Sequence, residues 1–302
     1  MHTLRQIRQL LAEAGASPRR RLGQHFLIDA NLMGKLLELA DLGGRETVLE
    51  VGAGTGSLTE ELVERAGRVV AVELDAGLAD VLRRRLGERT NLTVVAGDVL
   101  AGKHALAPAV LDALADASRP GVHLVSNLPY HIAVPVVLNA LWCSWRAAAA
   151  GGTDAVRFDR LTFTVQAELA DRLTAAPGGG DYGPAAVTVA LLARATPGRA
   201  IGPKAFWPRP KVTSRMLRLD FDAEAAATLR DAGTLSAVLA GTFGHRRKTI
   251  ANACRARDFP IPPPAFLDAL AAAGVDRGAR PHQVRPSEFR TVANVLSERQ
   301  SA

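Results

Sequence analysis

With 302 residues and 48% hydrophobic content, the chain is long enough to bury a large core and to divide into one larger and one smaller domain. No apolar run approaches the roughly 20 residues that span a bilayer, so no membrane partner is expected. Cys143 and Cys254 are too few for a disulfide framework or a zinc site, and they fit a reducing compartment. The amino terminus lacks the apolar core of a secretion signal. A cytoplasmic enzyme is the expectation.

The net charge of +7 is unevenly spread. Residues 1 to 25 carry five Arg against one Glu, residues 26 to 195 carry 15 basic against 20 acidic side chains, and residues 196 to 302 carry 17 against 9. Basic ends around an acidic middle suit a polyanion held beside a site, although a solvated basic surface has the same composition.

In chain order, MHTLRQIRQLLAEAG reads as a short amphipathic helix. An arginine cluster follows at Arg19 to Arg21. The loop Gly23 to Leu27 then leads into a helix capped by Asp29 and stopped at Gly43-Gly44. Gln24, His25 and Phe26 occupy a natural position for a lid over a ligand, and His25 can equally be a capping side chain.

Thr47 to Thr59, TVLEVGAGTGSLT, reads as a buried strand entering a glycine turn that opens a helix. Gly52, Gly54 and Gly56 permit a sharp bend and close approach to a ligand, and the free N–H groups of the next helix face that turn. Ser57 stands where the dinucleotide fingerprint wants its third glycine, which argues against a nicotinamide cofactor. The following strand ends at Glu73, 21 positions after Gly52, where a carboxylate can take ribose hydroxyls. A glycine turn kept for packing alone is the structural alternative.

Strands at 47 to 51, 68 to 73, 92 to 96 and 121 to 126 alternate with helices at 55 to 66, 76 to 86 and 108 to 117. This order predicts an α/β fold with a doubly wound, mostly parallel sheet. Ligands in such sheets bind beyond the carboxyl ends of the strands. That edge should hold Gly52 to Gly56, Glu73, Asp98 and Ser126 to Tyr130. Asp98 can accept from an adenine amino group or simply cap its own turn.

Asn127, Leu128, Pro129 and Tyr130 bring an amide, carbonyl acceptors and an aromatic face to the same edge. A strand-to-helix turn that uses these four residues for structure alone is the weaker reading.

Farther on come a linker at 146 to 156, a strand near 160 to 165, a helix at 166 to 174, a glycine loop at 177 to 184, and strands near 185 to 194 and 213 to 221. AFWPRPKVTS, residues 205 to 214, interleaves rings and cations as unpaired bases require. Phe206 and Trp207 can also pack a domain boundary. From about residue 223 the pattern turns helical. Residues 1 to 222 are expected to form the catalytic domain and 223 to 302 a helical RNA-binding domain, with Arg246, Arg247 and Lys248 contacting phosphate.

LGQHFL, VLEVGAGTGSLT, VAVELD, GDVL, NLPYHIAVP, AELADRL, FWPRPKVTS and FGHRRKTI occur in an order that resembles the small-subunit ribosomal RNA adenine N6,N6-dimethyltransferases. The resemblance runs from about Arg20 to Phe289. It implies a class I, Rossmann-like methyltransferase fold with S-adenosylmethionine as methyl donor and small-subunit rRNA in an immature particle as partner. It further implies donor contacts at Gln24, His25, Leu27, Gly52, Gly54, Glu73, Asp98 and Asn127, and adenine held by Tyr130 and Phe206. The chemistry agrees: an adenine amine is a poor nucleophile because its lone pair is delocalised into the ring, and the Asn127 amide oxygen and the Leu128 or Pro129 carbonyl can hold its two N–H groups while Tyr130 stacks on the ring. Reaching such a base requires that it be unpaired or flipped out. The donor is a sulfonium cation, so no metal is needed, and a monomer is expected. Departures are His25 where the family commonly has Asn, Ala53 where it often has Pro, the long linker after Trp145, and Arg215 at a usually small position. A large-subunit rRNA adenine methyltransferase, a nicotinamide-dependent reductase and a non-catalytic assembly factor are the alternative readings.

Overall fold

The computed structural model describes residues 1–18, 23–115, 121–150 and 156–300. The Arg19 to Arg21 cluster, the end of the helix expected to 117 and linker residues 151–155 lie outside the described residues. The chain divides into two compact units, Met1–Ala170 with Ala195–Phe221, and Asp171–Arg194 with Asp222–Ala302.

In the first unit, α1 (Leu4–Glu13) begins at a Thr3 capping box, in which Thr3 and Gln6 satisfy each other's backbone donors. After β1 (Phe26–Leu27), the Asp29 side chain accepts the Leu32 N–H and starts α2 (Ala30–Ala40). That helix stops at Asp41, in the left-handed conformation, before the expected Gly43-Gly44 stop. Asp tolerates the conformation better than most residues, so no glycine is needed there.

The Rossmann-like order then runs β2 (Thr47–Val51), α3 (Ser57–Val63), β3 (Arg68–Glu73), α4 (Ala76–Leu86), β4 (Leu92–Ala96), α5 (Pro108–Leu114), β5 (Val122–Asn127) and α6 (Ala133–Ala150). All five residues of β2 are buried, as a central strand covered on both faces should be. The helix α6 continues through residues 146–150, where a linker was expected, because its alanines extend a helix at little cost. β6 (Phe158–Gln166), α7 (Ala167–Leu173), α8 (Pro184–Leu192), β7 (Ala193–Ile201), β8 (Phe206–Trp207) and β9 (Ser214–Phe221) follow. The main sheet has the order β4-β3-β2-β5-β6-β9-β7. Neighbours from β4 to β6 are parallel, and β9 is antiparallel to β6. The strand β1 pairs antiparallel with β8, Phe26 opposite Trp207 and Leu27 opposite Phe206.

The second unit holds α8, α9 (Ala223–Ala227), α10 (Ala232–Gly244), α11 (Ile250–Ala253), α12 (Pro263–Ala272) and α13 (Pro286–Gln300). Two expectations are corrected here. Residues 185 to 194 were expected to be a strand, yet most of them form α8, which packs against α10 and α13. Its Ala186, Val187, Thr188, Val189, Leu191 and Leu192 are all buried, and a helix apolar all round carries no periodicity to distinguish it from a buried strand. Consequently residues 171–194 belong with the helical unit, whereas a boundary at 222/223 assigned them to the catalytic one.

Candidate active site

A cleft lies at the carboxyl ends of β2, β3, β4 and β5, lined among others by Gly52, Gly54, Glu73, Asp98 and Asn127. The sheet topology requires this: β5 lies next to β2, so the glycine turn after β2 and the Asn127–Tyr130 segment after β5 leave the sheet side by side. The buried Ser126 hydroxyl reinforces the juxtaposition by donating to the Val51 carbonyl at 2.7 Å.

The glycine turn is held by backbone and by Glu73. Gly52 N–H donates to the Val72 carbonyl at 2.8 Å. Gly52 and Gly54 have φ of 75° and 58°, the left-handed region that disfavours side chains. A Cβ on Gly52 would come 3.1 Å from Pro129 Cγ, and one on Gly54 would come 2.9 Å from Phe26 Cε1. Glycine there lets β1, the turn after β2 and the segment after β5 converge.

Glu73 is buried, and its carboxylate already accepts two backbone N–H groups, from Gly54 at 2.7 Å and Asp75 at 2.9 Å. Its first task is therefore to fix the turn, and the second lone pair on each oxygen can still serve a ligand. Burial raises its pKa despite these hydrogen bonds. Sequence reasoning passed over Glu50, which also lines the cleft. It is fully buried, accepts the Thr59 hydroxyl at 2.6 Å, and has its pKa pushed up to about 8 by burial, with the neighbouring Glu73 charge adding to the rise. Two desolvated acids in one cleft suit a cationic ligand. The sequence signal for Glu50 was a charged residue in the middle of an otherwise apolar strand. Asp98 is exposed at the rim, where Oδ1 accepts the Leu100 N–H at 2.9 Å, the turn-capping alternative, while the residue still lines the cleft.

The loop at residues 23–27 closes one side of the cleft, with Gln24, His25 and Leu27 in its lining. His25 contributes structure: its Nδ1 lies 2.6 Å from the Pro208 carbonyl, and its own carbonyl accepts Asn127 Nδ2 at 2.7 Å. A carbonyl only accepts, so Nδ1 carries a hydrogen.

Asn127 is already well engaged. Besides donating to His25, its Oδ1 accepts the hydroxyl of Thr164, the residue opposite it on β6. The Pro129 carbonyl accepts the Ile132 N–H at 3.1 Å, so of the two carbonyls considered for adenine, that of Leu128 is the better placed to receive a new donor. The Leu128 side chain is buried. The half-buried Tyr130, which like Leu128 does not itself line the cleft, has its hydroxyl 2.6 Å from Ser214 Oγ, and its ring centroid lies 5.4 Å from that of the cleft residue His25. Burial raises its pKa, so it stays a neutral phenol with an intact π face.

Phe206 departs from expectation. It is only 2% exposed, packs in the core with Leu27, Met33 and Leu36, and is absent from the cleft lining. Its pairing with Leu27 turns it inward, and by strand alternation its neighbour Trp207 faces the other way. Trp207 is part exposed, stacks on Phe26 at 6.3 Å, and carries the Arg8 guanidinium 5.5 Å above its ring. A further contact that the sequence did not reveal braces the turn from behind. The buried His2 lies within hydrogen-bonding distance of Thr55 Oγ1 at 3.2 Å and Glu60 Oε1 at 2.9 Å, and Arg85 bonds both Glu60 and the Thr55 carbonyl.

In the second unit, Arg246, Arg247 and Lys248 form an exposed turn between α10 and α11. Arg246 Nη2 donates to the Gly180 carbonyl at 2.8 Å. The Ile250 and Ala251 amides bond the carbonyls of Ala279 and Arg277, which brings a second exposed basic loop alongside.

Comparison with known proteins agrees with this geometry. A protein of Moorella thermoacetica, "Ribosomal RNA small subunit methyltransferase A", is 34% identical over 287 residues, covering 95% of each chain. A protein of the same name from Streptomyces griseus is 36% identical over 297 residues, covering 95% of this chain and 92% of the relative. Among solved structures, a dimethyladenosine transferase from Plasmodium falciparum superposes with TM-score 0.70 at 20% identity, covering 91% of this chain and 98% of its own, a likeness of fold. The 23S rRNA methyltransferase ErmE superposes with TM-score 0.59 at 27% identity, covering 90% and 99%. The family model described as ribosomal RNA adenine dimethylase matches residues 15–298, nearly the whole chain, and with the glycine turn meeting Asn127 and Pro129 in one cleft, this chain belongs to that family of rRNA methyltransferases.

Proposed function

We propose that the protein dimethylates the N6 amine of adenosines in small-subunit rRNA within an immature ribosomal subunit, two adjacent ones near the 3′ end being the expected targets. The observation that carries this reading is the meeting of two motifs: Gly52 of the nucleoside turn and Pro129 of the Asn127–Tyr130 segment are in near contact at the mouth of the sheet. When bound, S-adenosylmethionine supplies an electrophilic methyl group on a sulfonium centre. Glu73 and Asp98 offer acceptors for its ribose and adenine, Gly52 and Gly54 offer close backbone approach, and the buried Glu50 adds a negative charge once it ionises near pH 8.

At the adenine end, the second Oδ1 lone pair of Asn127 and the Leu128 carbonyl receive the amine's hydrogens while Tyr130 faces the ring. Holding those hydrogens aims the nitrogen lone pair out of the conjugated plane, so the chain catalyses by positioning and by fixed dipoles. The basic turn at Arg246 to Lys248 supplies RNA affinity from the second unit. A monomer working in the cytoplasm on assembling subunits fits this reading, and nothing in it calls for a metal.

The deciding experiment incubates purified protein and donor with unmethylated immature small subunits and, separately, with large subunits. The rRNA is then digested and analysed by mass spectrometry. Dimethyladenosine in small-subunit rRNA is expected. Modification of large-subunit rRNA alone would favour the ErmE-like reading, and absence of product from both would favour an assembly role.

A further inference from the structure

We infer that Thr164 is a positioning residue that, together with the His25 carbonyl, clamps the Asn127 amide so that its oxygen is the end offered to the adenine amine. The inference rests on the proposed role of Asn127. It follows from the order of donors along one buried line. The His25 carbonyl can only accept, so the group of Asn127 that faces it at 2.7 Å must be the NH2. The amide is planar, so Oδ1 must then point the other way, toward Thr164. There the threonine hydroxyl has to act as donor. Thr164 is completely buried and sits opposite Asn127 in the parallel register of β5 and β6, so it has no water to satisfy it and little freedom to turn elsewhere. The result is a directional chain from the Thr164 hydroxyl to Asn127 Oδ1 and from Asn127 Nδ2 to the His25 carbonyl, while His25 Nδ1–H donates to Pro208.

Without Thr164, the NH2 end of Asn127 keeps its single partner, but the acceptor end loses its donor and the amide is held at one end instead of two. The acceptor for the amine is then no longer aimed before substrate arrives. A hydroxyl is required at position 164, and the methyl group of Thr is not.

The test compares Thr164→Val, which keeps shape and removes the donor, with Thr164→Ser, which keeps the donor. Each is made in the parent and in an Asn127→Ala background. Single-turnover methylation of unmethylated small subunits is measured at saturating donor, together with donor affinity by calorimetry, melting temperature, and the side-chain amide signals of 15N-asparagine-labelled protein. Thr164→Val is expected to lower the transfer rate about tenfold, roughly what one neutral hydrogen bond supplies. Donor affinity should stay within a factor of about two, the Asn127 side-chain NH2 signals should shift or broaden, and Thr164→Ser should return the rate to near the parent value. In the Asn127→Ala background Thr164→Val should add nothing, because the two residues act as one unit. Parent-rate transfer by Thr164→Val, or the same tenfold loss with Asn127 already removed, would overturn the inference while leaving Asn127 in its role. Parent-rate transfer by Asn127→Ala would remove the reading on which it rests.

Discussion

The proposed adenine end of the cleft and the basic turn of the helical unit are built on opposite principles. The Asn127 and Tyr130 side chains are both committed: Asn127 is gripped by His25 and Thr164, and Tyr130 is anchored to Ser214. At Arg246, Arg247 and Lys248 the side chains are exposed, with Arg246 donating to the Gly180 carbonyl. The first region needs direction, which only buried and saturated hydrogen bonds provide. The second needs charge, which acts over about a Debye length and tolerates side-chain freedom. Damage to the first should therefore appear in rate and damage to the second in salt-dependent affinity.

The largest expected effect is on rate. Asn127→Ala should slow single-turnover transfer roughly 100-fold to 1000-fold, the usual cost of one positioned transition-state hydrogen bond. RNA affinity should change far less, and Tyr130→Ala should accumulate monomethyladenosine because a loosened pocket misaligns the bulkier second substrate. Equal losses of binding and rate would erase the contrast between the two regions.

Next is Glu73→Ala. It removes the carboxylate that holds Gly54 and Asp75 as well as the proposed ribose contact, and calorimetry should show donor binding weakened by about 1.5 to 3 kcal/mol, the range for hydrogen bonds to a charged group. Tighter binding of NAD than of S-adenosylmethionine by the parent protein would overturn the donor assignment.

A third prediction concerns pH. Glu50 ionises in the usual carboxylate range when the chain is unfolded but only near pH 8 when folded. Between those values the folded state holds the extra proton. Stability therefore falls as pH rises through this window, by up to about 1.4 kcal/mol per unit. Glu50→Gln, which can still accept from Thr59, should melt higher than the parent at pH 8 and lose that advantage toward pH 4. For the same reason, a cationic donor should bind the parent more tightly at pH 8 than at pH 6. A melting difference independent of pH would show that the Glu50 carboxyl is not what titrates.

The smallest effect per residue belongs to the basic turn. Neutralising Arg246, Arg247 and Lys248 together should weaken rRNA binding and flatten the plot of log affinity against log salt by about 0.7 to 0.9 for each phosphate that no longer meets a cation. An unchanged slope would mean that these side chains do not reach the RNA backbone.

Much of the site was legible because its parts are local. TVLEVGAGTGSLT contains its own strand, turn and helix, and the apolar alternation from residue 47 onward implies the parallel sheet. Topology then delivers the ends of β2, β3, β4 and β5 to one edge. The sequence determined which residues would gather there, since strand period and glycine placement are properties of neighbouring residues. Only the tertiary structure decided what those residues do once gathered. Asn127 meets Thr164 across 37 positions, Tyr130 meets Ser214 across 84, and Asn127 meets His25 across 102. Phe206 was turned into the core by its pairing with Leu27, and the apolar stretch of α8 became helix through packing with α10 and α13. Hydrogen-bond partners and buried faces are set by distance in space, and no local pattern encodes that distance.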